Sequence, residues 1–172
     1  MNQPTYINFD KGKFREELQY YNLKGEIGVL SYSFSKILSS FWRFKTPELA
    51  EISAKAIYGI FLRLINVSNR TQLKDFKFHL FMKADLCRKF LQMGYTRSMR
   101  YYYHQSGRKW EKKNNQWIIL PFDYDYEKKQ SALIFKKYWD LAKNNAIYTN
   151  IKSQFMKLTR DERIKIMEKY PL

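Results

Sequence analysis

Apolar side chains recur at alternating three- and four-residue intervals in several stretches of this sequence, and that spacing is what most constrains its fold. The clearest stretch follows Thr46, which can cap a helix, with Pro47 at the first helical position and Glu48 at the positive end. We therefore predict a helix over residues 47–65. Its predicted core face consists of Leu49, Ser53, Ala56, Ile57, Ile60 and Leu64.

The next stretch predicts a second helix over residues 73–93, because Gly94 is placed to end it. Thr96 then caps a predicted short helix that runs to Tyr103, and Gly107 breaks it. The inward residues of the second helix are predicted to be Leu73, Phe76, Leu80, Ala84, Cys87 and Leu91.

Helical signals continue towards the C-terminus. Residues 128–144 predict a helix, and the spacing of Tyr148, Ile151 and Phe155 continues the pattern. Residues 159–162 have the form of a capping box and open a final helix. The inward face of the first of these helices is predicted to be Ala132, Phe135, Trp139 and Ala142.

Two short stretches indicate β structure. Residues 25–35 alternate apolar and polar side chains at Leu30, Tyr32 and Phe34, and residues 117–120 form a brief apolar run. The predicted fold class is therefore mainly α (α+β), a compact single domain of about five to six helices with a small β-hairpin or short strands.

Length and composition support one unit. The 172 residues suffice for one core without disulfides, and 45% of them are apolar. We expect residues 1–172 to form a single basic domain, with residues 1–24 as a loosely packed N-terminal extension.

Several classes of protein are excluded by what the sequence lacks. One cysteine, Cys87, and two histidines, His79 and His104, cannot build a disulfide framework or a Cys/His metal set, so no metal is expected. No glycine-rich phosphate loop is present, so no cofactor is expected. No window approaches the roughly 18 apolar residues of a membrane span, and we expect a cytoplasmic protein without membrane contact.

Charge is the feature that points to a partner. Lysine and arginine number 32 against 16 acidic residues, and the resulting +16 must lie on the surface, where it attracts polyanions. Residues 70–113 contain twelve basic and three acidic residues, whereas residues 46–69 are neutral. We expect a nucleic acid, DNA or RNA, as the partner, and an acidic protein is the alternative.

The candidate binding residues interleave basic and aromatic side chains. Guanidinium groups bind phosphate oxygens, and aromatic faces stack on bases. The competing interpretation places the aromatic residues in the core and leaves the arginines solvated or paired with acids. The candidate nucleic-acid-binding residues are Arg43, Lys45, Arg88, Lys89, Arg97, Arg100, Tyr101, His104, Arg108, Lys109 and Trp110.

Two of the candidate segments have a structural interpretation that we favour. Residues 42–45 alternate aromatic and basic side chains before a helix, and their aromatic rings are expected to anchor a loop to the core. The acids of residues 123–127 resemble a minimal Mg²⁺ site, but they also complement the dipole of the helix that follows.

No catalytic residue is assigned, and a binding protein is favoured over an enzyme. His104 is a weak candidate for a general base: its cationic neighbours Arg100 and Arg108 favour its neutral form, and no obvious nucleophile lies nearby. The alternative is an enzyme acting on nucleic acid or a phosphorylated substrate through His104, Asp85 or the acids of residues 123–127. That alternative requires one concave pocket that joins these residues.

Three blocks of the sequence carry a resemblance to a known family. They are residues 25–30, residues 42–47, and residues 88–97 together with residues 100–101 and 107–110. Over roughly residues 22–145 the chain resembles the uncharacterised family called domain of unknown function 4385, found in bacteria, tailed phages and some eukaryotes. The resemblance implies a single intracellular domain of phage or bacterial origin, and it brings no catalytic residue.

Overall fold

The computed structural model describes residues 32–104, 110–119 and 124–169. Within these ranges it contains six α-helices and one two-stranded antiparallel sheet, which confirms the predicted mainly α fold class. The helices are α1 (Tyr32–Phe41), α2 (Pro47–Arg70), α3 (Lys74–His104), α4 (Tyr126–Lys143), α5 (Ala146–Met156) and α6 (Arg160–Lys169). The strands are β1 (Trp110–Lys113) and β2 (Gln116–Ile119).

The three long helices α2, α3 and α4 pack against one another and form the centre of the core. Helix α5 contacts all three, and α6 lies against the first turns of α3, where Lys169 is 3.0 Å from Asp75. None of the helices in the described ranges is long and apolar enough to cross a membrane. Each helix contributes to one cluster of buried side chains, which includes Phe34, Ile57, Leu91, Phe135, Ile151 and Ile166.

Helix α2 begins as predicted and ends five residues later than predicted. Thr46 Oγ1 accepts a hydrogen bond from the backbone N–H of Leu49 at 3.3 Å, and Pro47 is the first helical residue. Of the predicted core face only Ser53 and Ile57 are buried, because α3 and α4 both pack on α2 and shift the centre of its buried face. The buried residues are Ala50, Ser53, Ala54, Ile57, Phe61, Ile65 and Ser68.

Helix α3 is one continuous helix of 31 residues, so the predicted end at Gly94 and the separate short helix after Thr96 are wrong. Gly94 is buried where α3 meets α4, and a Cβ atom there would overlap the ring of Phe135. Glycine at this position therefore allows a close approach of two helices rather than a change of chain direction.

The inward face predicted for this helix is confirmed in its middle. Leu80, Ala84, Cys87 and Leu91 are buried. Leu73 precedes the first turn and is exposed, so its predicted burial is wrong.

The strand predicted over residues 25–35 is wrong from Tyr32 onward, and residues 25–31 lie outside the described part of the chain. Helix α1 occupies this region. The alternation up to Phe34 is short, whereas Phe34, Ile37, Leu38 and Phe41 share one face of a helix and are all buried.

Strands β1 and β2 form a hairpin, with Trp110 opposite Ile119 and Lys112 opposite Trp117. Asn114 and Asn115 both have positive φ angles, 51° and 61°, as two-residue hairpin turns require. The extended piece predicted at residues 117–120 is thus confirmed for residues 117–119. Trp110 and Trp117 are 52% and 68% exposed, so the interpretation that they are core residues is wrong.

The three C-terminal helices are confirmed. Ala132, Phe135 and Ala142 on α4 are buried, and Trp139 packs against the core while remaining partly exposed. On α5 the predicted Tyr148, Ile151 and Phe155 are buried. Helix α6 is capped at Thr159, whose Oγ1 accepts a hydrogen bond from the backbone N–H of Glu162 at 3.2 Å.

Candidate nucleic-acid interface

Residues 42–45, here called the anchored loop, are fixed to the core by their aromatic rings. The Trp42 ring centroid lies 5.3 Å from that of Phe90 on α3, and Phe44 lies 6.2 Å from Phe135 on α4. The backbone N–H of Arg43 donates to Ser53 Oγ at 3.0 Å. The predicted anchoring role is therefore confirmed, and it leaves Arg43 and Lys45 exposed.

The C-terminal third of α3 packs onto the anchored loop. The guanidinium of Arg97 lies 4.6 Å from the centre of the Trp42 ring, and the Tyr101 ring is 6.4 Å from that of Phe44. Arg97 and Tyr101 are four residues apart and so share a face of the helix. The structure thus brings the predicted Arg97 and Tyr101 of α3 onto the loop that carries the predicted Arg43 and Lys45. The two segments are more than fifty positions apart in the sequence.

Helix α4 adds a residue that sequence reasoning missed. Lys128 Nζ donates to the carbonyl oxygens of Phe44 at 3.2 Å and Lys45 at 3.0 Å, and it lies 5.6 Å above the ring of Tyr101. Burial lowers the pKa of Lys128, although Asp125 and Glu127 oppose this effect. No local sequence signal marks Lys128, because its partners are backbone atoms more than eighty residues away.

Two further cations extend this region. Arg100 is exposed one turn beyond Arg97, and Lys129 Nζ lies 5.4 Å from the ring of Tyr102. We call the cationic side chains of the anchored loop, the end of α3 and the start of α4 the basic surface. It consists of Arg43, Lys45, Arg97, Arg100, Lys128 and Lys129.

The acids before α4 serve the helix, as favoured from the sequence. Asp125 is the N-cap, and its Oδ1 accepts a hydrogen bond from the backbone N–H of Lys128 at 3.2 Å. The backbone N–H of Asp125 donates to the carbonyl of Tyr102 at 3.2 Å, which ties the start of α4 to the end of α3. Asp123 lies outside the described residues.

Arg88 is not part of the basic surface and Lys89 is paired with Asp85, although both belong to the predicted site. Arg97 is nine positions after Arg88, so the two side chains lie about 180° apart around α3. Arg88 Nε donates to Asp85 Oδ1 at 2.8 Å, and Lys89 Nζ is 3.3 Å from Asp85 Oδ2. The Arg88 side chain is 16% exposed and contributes to internal packing rather than to an open surface.

The electrostatics of Asp85 follow from this packing. Burial alone raises the pKa of Asp85, but hydrogen bonds from Arg88 and Tyr148 and the charges of Arg88 and Lys89 outweigh it. The net effect is a pKa below the ordinary value of aspartate. The same network raises the pKa of Arg88 despite its burial, so both side chains are charged at neutral pH.

The remaining predicted residues lie near the end of α3 and in the hairpin. His104 is the last residue of α3, and its side chain lies outside the described part. Arg108 and Lys109 also lie outside the described residues. Trp110 begins the exposed strand β1.

The enzyme alternative required Asp85 and His104 to meet in one pocket. They are nineteen residues apart in the continuous helix α3, which places their backbones about 28 Å apart along its axis. In the part of the chain that the structure describes, no group of three or more His, Cys, Asp or Glu side chains could hold a metal ion. The two proposed catalytic groups therefore do not share a site.

The anchored loop, α3 and α4 fall within a match to a known family. Residues 5–158 match the family described as Domain of unknown function (DUF4385). The chain belongs to this family. No curated protein matches the DUF4385 chain, and no solved structure does. The match confirms the resemblance inferred from residues 22–145 and extends it at both ends.

Proposed function

We propose that this DUF4385 protein binds nucleic acid through the basic surface. The observation that carries the proposal is the convergence of the anchored loop, α3 and α4: the Arg97 guanidinium lies over the Trp42 ring, and Lys128 lies over Tyr101 while it bonds to the carbonyl oxygen of Lys45. Guanidinium and ammonium groups are the usual partners of nucleic-acid phosphates. Asp125 and Glu127 are the carboxylates that act on Lys128, and Asp125 also caps helix α4.

Several of these cations are held in position before any ligand binds, and this favours binding. Arg97 is held against Trp42, and the backbone that carries Arg43 and Lys45 is held by Ser53 and Lys128. Side chains and loops that are ordered before binding lose less entropy on association.

Fluorescence anisotropy with labelled single-stranded DNA, duplex DNA and RNA across a salt series tests the proposal. Each lost phosphate contact lowers the slope of log K against log salt by ~0.7–0.9. The double variant Lys45→Gln/Arg100→Gln changes two exposed residues of the basic surface and is expected to lower the slope by about 1.4–1.8. Circular dichroism should show an unchanged helical fold.

A matched control removes the same charge at the other end of the molecule. Lys157, just before α6, and Lys165, within α6, are exposed. Helix α6 ends at Lys169 beside Asp75, which is ~37 Å along α3 from Arg100. Lys157→Gln/Lys165→Gln should leave the slope unchanged. Two results would refute a specific nucleic-acid surface and favour an acidic protein partner. One is an equal loss of salt slope in both double variants. The other is displacement of all three nucleic acids to the same extent by an unlabelled acidic polymer.

A nucleic-acid ligand also leads us to propose a cytoplasmic location, in a bacterium or a phage-infected cell. Fractionation of such cells with an antibody against the protein tests this. Recovery outside the cytoplasm would contradict it.

A further inference from the structure

A group of tyrosines lies at the protein surface where α3 ends and α4 begins. Tyr102 is at its centre, with ring centroids 4.8 Å from Tyr103, 5.3 Å from Tyr124 and 5.9 Å from Tyr126. Tyr103 and Tyr124 are each 45% exposed, and Tyr126 is 66% exposed. We call these four residues the tyrosine cluster. Its rings pack on one another, yet much of their surface remains open.

The tyrosine cluster adjoins the basic surface. Lys129 Nζ lies 5.4 Å from the Tyr102 ring, and Arg100 is one helical turn from Tyr103. The hydrogen bond from the Asp125 N–H to the Tyr102 carbonyl joins the two segments that carry the rings. Open aromatic faces and cations thus form one continuous region at this end of the molecule.

A surface that combines cations with exposed aromatic rings distinguishes single-stranded from duplex nucleic acid. Duplexes hide the faces of their bases in the stack, so their phosphates reach cations while their bases cannot reach an aromatic ring. Single strands offer both, and base–aromatic stacking tolerates any sequence because every base has a π face. Mutually packed rings are also ordered before a base arrives, which lowers the entropy lost on binding.

The hairpin supplies a second aromatic surface within reach. Trp110, Lys112, Trp117 and Ile119 lie on one face of it by strand alternation, and all are exposed. Only four residues separate Ile119 from Tyr124, so the hairpin end lies within about 18 Å of the tyrosine cluster.

We infer that the tyrosine cluster stacks on unpaired bases of a single-stranded nucleic acid whose phosphates lie on the basic surface. This inference rests on the proposed function and names the form of nucleic acid that the surface selects. The hairpin tryptophans extend the path of the strand.

Three labelled probes of equal length separate stacking from charge: a single-stranded DNA, its duplex, and an abasic oligodeoxynucleotide with the same phosphates and no bases. In anisotropy titrations the wild-type protein is expected to bind the single strand tenfold or more tightly than the abasic strand. Equal affinity for the single strand and the abasic strand would overturn the inference while leaving the proposed function intact. Absence of binding to any probe would refute the proposed function itself.

Variants then locate the effect. Tyr103→Ala/Tyr126→Ala removes two exposed rings and should weaken single-strand binding by about tenfold to a hundredfold, with no change for the abasic strand or in the salt slope. Tyr103→Phe/Tyr126→Phe keeps the ring faces and should bind as the wild type does. Alanine variants that bind the single strand normally, or phenylalanine variants as weak as the alanine ones, would contradict stacking by these rings.

Discussion

Gly94 and Gly59 both lie inside long helices, and alanine at the two positions is expected to have opposite effects on stability. At Gly94 a Cβ atom would come within 2.6 Å of ring atoms Cγ and Cε1 of Phe135. The Phe135 ring is fully buried and packs edge-on against Phe44 of the anchored loop, so it has little room to move. At Gly59 a Cβ atom would meet no atom within 4 Å.

The expected change in the free energy of unfolding combines the helix preference of alanine with the cost of overpacking. Alanine is favoured over glycine in a helix interior by about 1 kcal/mol, and Gly59→Ala should gain that amount. Gly94→Ala gains the same term but loses ~1–3 kcal/mol to overpacking, and the buried ring points to the upper part of that range. We therefore expect a net loss of ~1–2 kcal/mol, which lowers Tm by ~2–8 °C in a protein of this size.

Urea unfolding followed by circular dichroism at 222 nm measures both variants. The double variant Gly94→Ala/Phe135→Leu should lose less stability than the sum of its single changes, because a smaller side chain at position 135 makes room for the added methyl group. If Gly94→Ala stabilises the protein as Gly59→Ala does, the close approach of α3 and α4 at Gly94 is wrong.

Two titratable side chains of α3, Lys83 and Asp85, give further predictions. Burial lowers the pKa of Lys83 from 10.5 to about 6, so the unfolded chain holds a proton that the folded chain has lost, and stability rises with pH between these values. Lys83→Met should flatten that rise in stability, which is at most ~1.4 kcal/mol per pH unit. The measurement is the urea midpoint of both proteins from pH 6 to 9. Parallel profiles for the two proteins would contradict the prediction. Asp85→Asn leaves Arg88 without its carboxylate and should cost less than the ~3–5 kcal/mol of a fully buried pair, because both side chains are partly exposed. Because the folded pKa of Asp85 is lowered, its contribution is present above about pH 4 and falls as pH drops through the folded pKa, so the stability of Asp85→Asn should depend less on pH from 5 to 2.

Much of the candidate site could be predicted, but its assembly could not. The dense basic and aromatic sequence marked Arg97, Arg100 and Tyr101, and alternation marked the anchored loop. Because a helix end was predicted at Gly94, Arg88 and Arg97 were assigned to different helices, although they lie on opposite sides of one helix. Lys128 was missed because side-chain bonds to distant carbonyls leave no pattern in the sequence.

Features that depend on neighbouring residues could be predicted from local sequence alone. Caps at Thr46 and Thr159 act within three positions, and the apolar spacing of α4 and α5 fixes their faces, so these elements could be predicted correctly. Gly94, by contrast, continues a helix because of contacts between helices that are distant in the sequence. Its intrinsic preference for turns is weaker than the packing of α3 on α4, where the missing side chain makes room for Phe135. The same packing decided which cations meet, because the position of a charge in space depends on helix contacts that no local spacing encodes.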